Sequence, residues 1–231
     1  MSRRLLAELL GSALLAAVVI GSGIAAQELS TDTGLQLLEN SVATAFGLFA
    51  LILMFGPVSG AHLNPVVSLV DAAFGGLPWR TAAFYVPVQI AGCIAGAILA
   101  NAMFELPAVS ISETDRVSAA HLLSEVVATA GLVVMIFSLV RSGRAAIAPA
   151  AVGAYIGAAY WFTSSTSFAN PAITVGRVFS DTFAGIAPAS VAPFILAQLA
   201  GGALALVLVR FLYPGLSAAE AGDVVVPHES R

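Results

Sequence analysis

The chain is 231 residues long, 59% hydrophobic and only 10% charged, with a net charge of −4 and a mean hydropathy of +0.96. A soluble domain carries about 25% charged and about 45–50% apolar residues, so a water-soluble fold is excluded, and no basic patch for nucleic acid is present. A single cysteine, Cys93, lies inside an apolar run, which excludes a disulfide framework and leaves the redox compartment open.

About 30 Å of hydrocarbon takes roughly 20 helical residues. Apolar runs that serve this purpose are expected at about 5–24, 41–55, 81–104, 121–140, 145–162 and 191–211. The second and fifth are short for a bilayer helix, which is tolerated where helix ends are buried in protein. The first 26 residues also have the outline of a secretory signal, with Arg3 and Arg4, an apolar stretch, and small residues near Ala25 and Ala26. Glu8 interrupts that stretch, and a polytopic chain needs no such signal, so the segment is expected to stay as the first span. Between spans, Glu28, Asp32, Glu39, Glu105, Glu113 and Asp115 with Gly, Ser and Pro punctuation mark aqueous loops. A polar cytoplasmic tail is expected over 214–231. There is no lysine; with both termini inside, Arg3, Arg4, Arg80, Arg141, Arg144 and Arg210 fall on the cytoplasmic side. Arg116 and Arg177 fall outside, the bias that the positive-inside rule asks for.

The two halves repeat. Gly60-Ala61-His62-Leu63-Asn64-Pro65-Val66 returns as Ser167-Phe168-Ala169-Asn170-Pro171-Ala172, with the asparagines 106 residues apart. Gln89-Ile90-Ala91-Gly92 returns as Gln198-Leu199-Ala200-Gly201, and Glu8 early in the first span matches Glu125 early in the fourth. With three spans per half, the second half must enter the membrane inverted relative to the first. Each Asn-Pro pair opens an apolar segment too short to cross alone, 66–74 and 172–179. Proline suits the first turn of a helix because its missing N–H costs nothing there. Two half-helices dipping in from opposite faces would meet at their N-termini, together supplying one spanning element. Their unpaired N–H groups and positive dipole ends would then converge at the midplane, beside the amides of Asn64 and Asn170. A neutral hydroxylic molecule accepts such hydrogen bonds in passing, whereas a cation loses its hydration without repayment. Small-residue faces at Gly92, Gly96 and Ala100, and at Gly201 and Ala205, are expected to make close helix crossings within the chain.

The block Gly56-Pro57-Val58-Ser59-Gly60-Ala61-His62-Leu63-Asn64-Pro65 resembles the first-loop signature of the aquaporin and aquaglyceroporin family, the major intrinsic proteins. The similarity covers nearly everything from Ala7 to Tyr213. It implies an all-α membrane fold of six helices plus two re-entrant half-helices in an inverted repeat. The channel domain would cover 1–213, with repeats at about 5–104 and 121–213. The resemblance also implies a bacterial inner-membrane protein, a homotetramer in lipid with a pore in each subunit. It would pass small neutral solutes, with no cofactor and no metal. Pro65, Val66, Pro171 and Ala172 complete the two motifs. Val66 replaces the family's alanine and is expected to fill the contact between the half-helices. Glu8 and Glu125 match the family's paired buried glutamates. A carboxylate in an apolar span must be satisfied, so each is expected to accept hydrogen bonds from a re-entrant loop; the alternative is an interfacial glutamate at a helix start. His62 matches a loop histidine that holds backbone carbonyls toward the pore. It is not expected to bind metal, since His121 and His228 lie elsewhere.

Family spacing, applied without gaps, puts the selectivity filter at Thr44, Ala158, Ser167 and Ile173. In strict water channels these positions resemble an aromatic, a histidine, a small residue and an arginine; in glycerol channels the arginine stays. Here isoleucine stands at the arginine position and no ring falls in the set. Removing a guanidinium removes volume, a fixed charge and a fork of five donors. The expectation is therefore a wide, arginine-free filter that passes water, glycerol and urea-sized solutes. Arg177, one turn beyond Ile173 at the outer vestibule, either leans back over the pore as a partial substitute or snorkels to water. The block 163–172 followed by 181–186 is similar to a bacterial subgroup associated with arsenic-resistance operons, and arsenous acid is uncharged near neutral pH and polyol-sized. The competing readings are a strict water channel and, more distantly, a secondary transporter, since inverted repeats occur there too. No acid–histidine–nucleophile set points to an enzyme.

Overall fold

The computed structural model describes residues 1–214; the expected tail beyond Pro214 lies outside them. All regular structure among the described residues is helical. The first half contains α1 (Ser2–Leu29), α2 (Thr33–Ser59), the half-helix α3 (Pro65–Phe74) and α4 (Trp79–Met103). The second half contains α5 (Ala119–Arg141), α6 (Ala148–Phe162) after a 3-10 turn at Ala145–Ile147, the half-helix α7 (Pro171–Gly176) and α8 (Pro188–Leu212). Six of these segments are long and apolar enough to cross a bilayer. The result is the all-α inverted-repeat architecture read from the sequence, with α7 shorter than its partner because the chain turns into a 3-10 segment at Arg177–Phe179.

Local chemistry explains several helix limits. Asp32 caps α2 by accepting the Leu35 N–H, and Ser118 caps α5 by accepting the His121 N–H. Gly60 and Gly75 end α2 and α3 in the left-handed conformation, each at φ 88°. One expectation is corrected: the second span is not 41–55 but runs 27 residues from Thr33, and Glu39 belongs to the helix rather than to a loop. Apolar periodicity stops at Gln36, Glu39 and Asn40, yet the helix does not, because Gln36 and Asn40 find protein partners. Asn40 donates to the Val19 carbonyl and to Ser22 Oγ, both at 2.8 Å, and Gln36 donates to the Ser30 carbonyl at 2.6 Å.

Helix α1 packs on α2 and α4, α5 packs on α6 and α8, and α2 meets α6 across the boundary between halves. A side chain at Gly92 or Gly96 would drive into the backbone of α1 at Leu9 and Ala13, and one at Gly201 into α5 at Val126. The expected small-residue crossings are thus intramolecular: they let backbones approach where lipid offers no hydrophobic drive between helices. Both half-helices rest against α4 and α8. Val66 also packs against α8. Its Cγ1 occupies the space that a side chain on Gly202 of α8 would need, 2.5 Å from that position. Large apolar side chains such as Phe46, Leu123, Leu196 and Phe211 remain exposed on the perimeter, as a lipid-facing surface requires.

Candidate functional site: two crossed loops and the cavity between them

Each half-helix starts at its motif asparagine. Asn64 Oδ1 accepts the Val66 N–H at 2.9 Å; Asn170 Oδ1 accepts those of Ala172 at 2.9 Å and Ile173 at 3.3 Å. Pro65 and Pro171 occupy the first turn, where no N–H is needed. The amide nitrogens cross over: Asn64 Nδ2 donates to the Ala169 carbonyl at 2.7 Å and Asn170 Nδ2 to the Leu63 carbonyl at 2.8 Å. Each loop is thereby pinned by the other loop's asparagine.

The loops leading into the asparagines share a left-handed pattern, which begins at Gly60 in one and Thr166 in the other. Ala61 and Leu63 have positive φ, as do their counterparts Ser167 and Ala169. Left-handed backbone is uncommon for residues with a side chain and costs of order 1–3 kcal/mol per residue, so the surroundings must hold it. The buried glutamates do that. Glu8 accepts from Ser59 Oγ at 2.6 Å, His62 N at 3.0 Å, Leu63 N at 2.8 Å and Gln89 Nε2 at 2.7 Å. Glu125 accepts from Ser165 Oγ at 2.6 Å, Phe168 N at 2.9 Å, Ala169 N at 2.9 Å and Gln198 Nε2 at 2.6 Å. Both carboxylates are fully buried, so they are loop anchors rather than interfacial residues, and the duplicated glutamines are their partners.

A cavity of about 60 Å³ runs beside the two asparagines, several times the roughly 10–15 Å³ that one water needs. Its apolar wall is read at helical spacing. Leu15 and Val19 come from α1, Leu132 and Ile136 from α5. Thr44, Leu48 and Ile52 form a stripe on α2 that faces Val152, Ile156 and Tyr160 on α6. The loops supply the polar side, including Asn64, Asn170, His62 and Ser167. Ser167 Oγ is buried without a hydrogen-bond partner.

Of the four expected filter residues, the cavity receives Thr44, Ser167 and Ile173 but not Ala158, which is exposed on the perimeter. Two residues along a helix turn the side chain by about 200°, so Ala158 points away while Ile156 and Tyr160 face in. Ungapped spacing therefore misreads α6 by two positions. The ring that α6 brings to the cavity is Tyr160, whose hydroxyl lies 3.1 Å from Thr44 Oγ1. Its place in the stripe Val152–Ile156–Tyr160, each four residues apart, was the available signal.

Of the two placements expected for Arg177, the structure shows the one that leans back over the cavity. Arg177 does not snorkel: it is buried, lines the cavity, donates from Nε to the Ala184 carbonyl, and lies with Cζ 3.4 Å from the Phe168 ring centroid. One turn beyond Ile173, it reaches the same space from further along the chain. At the other loop, His62 Nδ1 lies 3.1 Å from Ser68 Oγ and Nε2 lies 3.5 Å from Asp71 Oδ2, with the ring edge-on to Tyr85. Asp71 was not singled out by sequence reading; it is buried, with Oδ1 unpartnered. Among the described residues no group of His, Cys, Asp and Glu side chains could hold a metal ion.

Comparisons with known proteins agree with this geometry. Residues 1–167 match the model of the family described as major intrinsic protein. The chain is 50% identical over 212 residues to an aquaglyceroporin of Rhizobium meliloti, covering 92% of this chain and 91% of that protein. It is 31% identical over 198 residues to a glycerol uptake facilitator protein of Streptococcus pneumoniae, covering 76% of this chain and 82% of that one. Among solved structures, the aquaglyceroporin from Plasmodium falciparum superimposes with a TM-score of 0.70 at 20% identity, over 93% of this chain and 96% of that one, which shows the shared fold. The chain belongs to the major intrinsic protein family, a family of water and glycerol channels, and is a multi-pass membrane protein and not an enzyme.

Proposed function

From membership of the major intrinsic protein family, we propose that this chain is a passive channel for water and small neutral solutes of glycerol and urea size. The observation that carries the reading is the crossed asparagine pair. Each Nδ2 has two N–H groups; the opposite loop takes one, and the other is left for a solute in the cavity. A polyol or water file would meet these donors on one side and the aliphatic stripes of α1, α2, α5 and α6 on the other. No carboxylate lines the cavity among the described residues. The half-helix N-termini and Arg177 supply positive potential, so a cation would be dehydrated without compensation.

The constriction we propose consists of Thr44, Tyr160, Ser167, Ile173 and Arg177, with the guanidinium at the outer side. Arsenous acid, uncharged and polyol-sized, belongs to the same solute class. The channel unit would take in 1–213 and assemble as a homotetramer in the bacterial inner membrane, both termini cytoplasmic, following the arginine bias and the family resemblance. A strict water channel is the second reading, favoured by Tyr160 and Arg177 narrowing one space together.

Purified protein in liposomes, challenged with gradients of water, glycerol, urea and arsenous acid, tests these readings. Passage of all four is expected. Passage of water with exclusion of the three larger solutes would replace the first reading by the second.

A further inference from the structure

Three sets of groups surround Arg177, and one of them, Arg116, comes from outside both motifs. Arg116 belongs to the connection between the two halves. Its backbone is fixed on each side: its N–H donates to Ser190 Oγ at 3.0 Å and its carbonyl lies 2.7 Å from His121 Nδ1. The neighbouring Asp115 carboxylate accepts the Val117 N–H at 3.0 Å and the Ser190 hydroxyl at 2.7 Å. Those bonds, the Val117 N–H first, hold the Asp115 carboxyl below the usual carboxylate range, so this anchor is charged near neutral pH.

From there the Arg116 side chain turns inward onto the segment that follows the second half-helix. Its Nε donates to the Gly185 carbonyl at 2.6 Å and its Nη2 to the Phe183 carbonyl at 3.0 Å. The carbonyl between those two, Ala184, is the one that accepts from Arg177 Nε. The Phe168 ring lies within reach of both guanidiniums, 5.4 Å from Arg116 Cζ and 3.4 Å from Arg177 Cζ. Three consecutive carbonyls are thus divided between two arginines. The Nη groups of Arg177 have no acceptor among the described residues and are not sealed off from the cavity.

We propose that Arg116 is a positioning residue for the pore: by fixing the carbonyls of Phe183 and Gly185 it presents the Ala184 carbonyl to Arg177, and so sets where the Arg177 guanidinium stands in the constriction. The proposal rests on the reading of Arg177 as a constriction residue. The segment is irregular, 3-10 and turn rather than helix: a turn bond from the Gly185 N–H to the Thr182 carbonyl at 2.8 Å holds the peptide that carries the Ala184 carbonyl, and the Phe183 and Gly185 carbonyls on either side of it are held by Arg116. Gln27 of α1 accepts the Phe183 N–H at 2.9 Å, which ties the segment down without choosing which way its carbonyls face. A planar guanidinium can hold two carbonyls in a fixed relation, which a lysine ammonium on a flexible stem cannot. Attraction does not hold Arg177 there for Arg116's sake, since like charges repel; the carbonyl and the ring must do so.

The test compares Arg177→Ala, Arg116→Gln, Arg116→Lys and the double variant R116Q/R177A in liposomes, reading the ratio of glycerol to water permeability, with thermal unfolding as the check on folding. Arg177→Ala should raise the ratio. Both Arg116 variants should raise it in the same direction, by about fivefold, or about 1 kcal/mol at 1.4 kcal/mol per tenfold. The double variant should not exceed Arg177→Ala, as expected of residues acting through one contact. Arg116→Lys separates positioning from charge: native selectivity in that variant would mean that only the positive charge matters and would overturn the proposal. An altered ratio in Arg177→Ala with native ratios in both Arg116 variants would overturn it while leaving the constriction reading intact. No effect of Arg177→Ala would remove that reading, and the proposal with it.

Discussion

The two re-entrant loops share one scaffold and differ in the charge they carry. Ser59, Leu63 and Gln89 bond to Glu8 in the first as Ser165, Ala169 and Gln198 bond to Glu125 in the second, and Ser68 and Thr174 each accept from the duplicated glutamine and donate to the motif asparagine's carbonyl. Even the edge-on ring contacts repeat, His62 with Tyr85 and Phe168 with Phe194. Where the first half-helix places Asp71 against His62, the second places Arg177 against Phe168. Packing is exchanged too. Val66 and Val70 of α3 press on Gly202 of α8, whereas Gly176 of α7 presses on Cys93 of α4. The backbone machinery must be duplicated because both loops have to hold the same left-handed residues. The side chains at the two ends need not match, since each end faces a different side of the membrane, and selectivity can be written there without disturbing the frame.

Disrupting the shared frame should have the largest effect. Replacing Asn64 and Asn170 together with leucine removes both crossing donors and adds bulk where the two loops meet, so solute flux in liposomes should fall to background while the protein still inserts. Native flux from the folded variant would rule out the central pore. Next come the glutamates. Glu125→Leu leaves the Phe168 and Ala169 N–H groups, the Ser165 hydroxyl and the Gln198 amide without their acceptor, and an unpaired buried group costs about 1–3 kcal/mol. Thermal stability and folded yield should drop sharply, and Glu8→Leu should match it, as equivalent anchors must. A large inequality between them would break the symmetry argued above.

The differing ends should respond unequally and more mildly. Arg177 lines the cavity and Asp71 does not, so Asp71→Asn should leave the glycerol-to-water ratio within about twofold, the scale of changes below 0.5 kcal/mol, while Arg177→Ala moves it further. Liposome permeability of the two variants decides this. The exchanged packing should change stability and leave the permeability ratio alone: Gly202→Ala should destabilise by about 1–3 kcal/mol through overpacking against Val66, and adding Val66→Ala should restore part of the loss in a thermal-unfolding cycle. Simple additivity would mean that the two do not share the space.

Much of this frame was legible because it is repeated. The duplicated Asn-Pro motif, glutamines and glutamates announced two equivalent loops, and the composition announced the membrane. The ends of the frame were less legible. Ala158 was misplaced because spacing taken across a loop ignores helical phase, which Ile156 and Tyr160 record correctly. The length of α2 was hidden because Asn40 and Gln36 are satisfied by the Val19 and Ser30 carbonyls, contacts that hydropathy cannot see. The seat of Arg177 depends on a carbonyl seven residues further on and on a ring nine residues earlier, neither of which marks itself in the sequence.

The central claim, a passive pore between crossed loops, is tested most directly by the concentration dependence of glycerol flux through the native protein in sealed liposomes. The account predicts flux that rises linearly with the gradient, runs equally in both directions, and carries no accompanying proton or cation current. Saturating flux with uphill accumulation driven by an ion gradient would contradict it and would mark the chain as a transporter built on a channel fold.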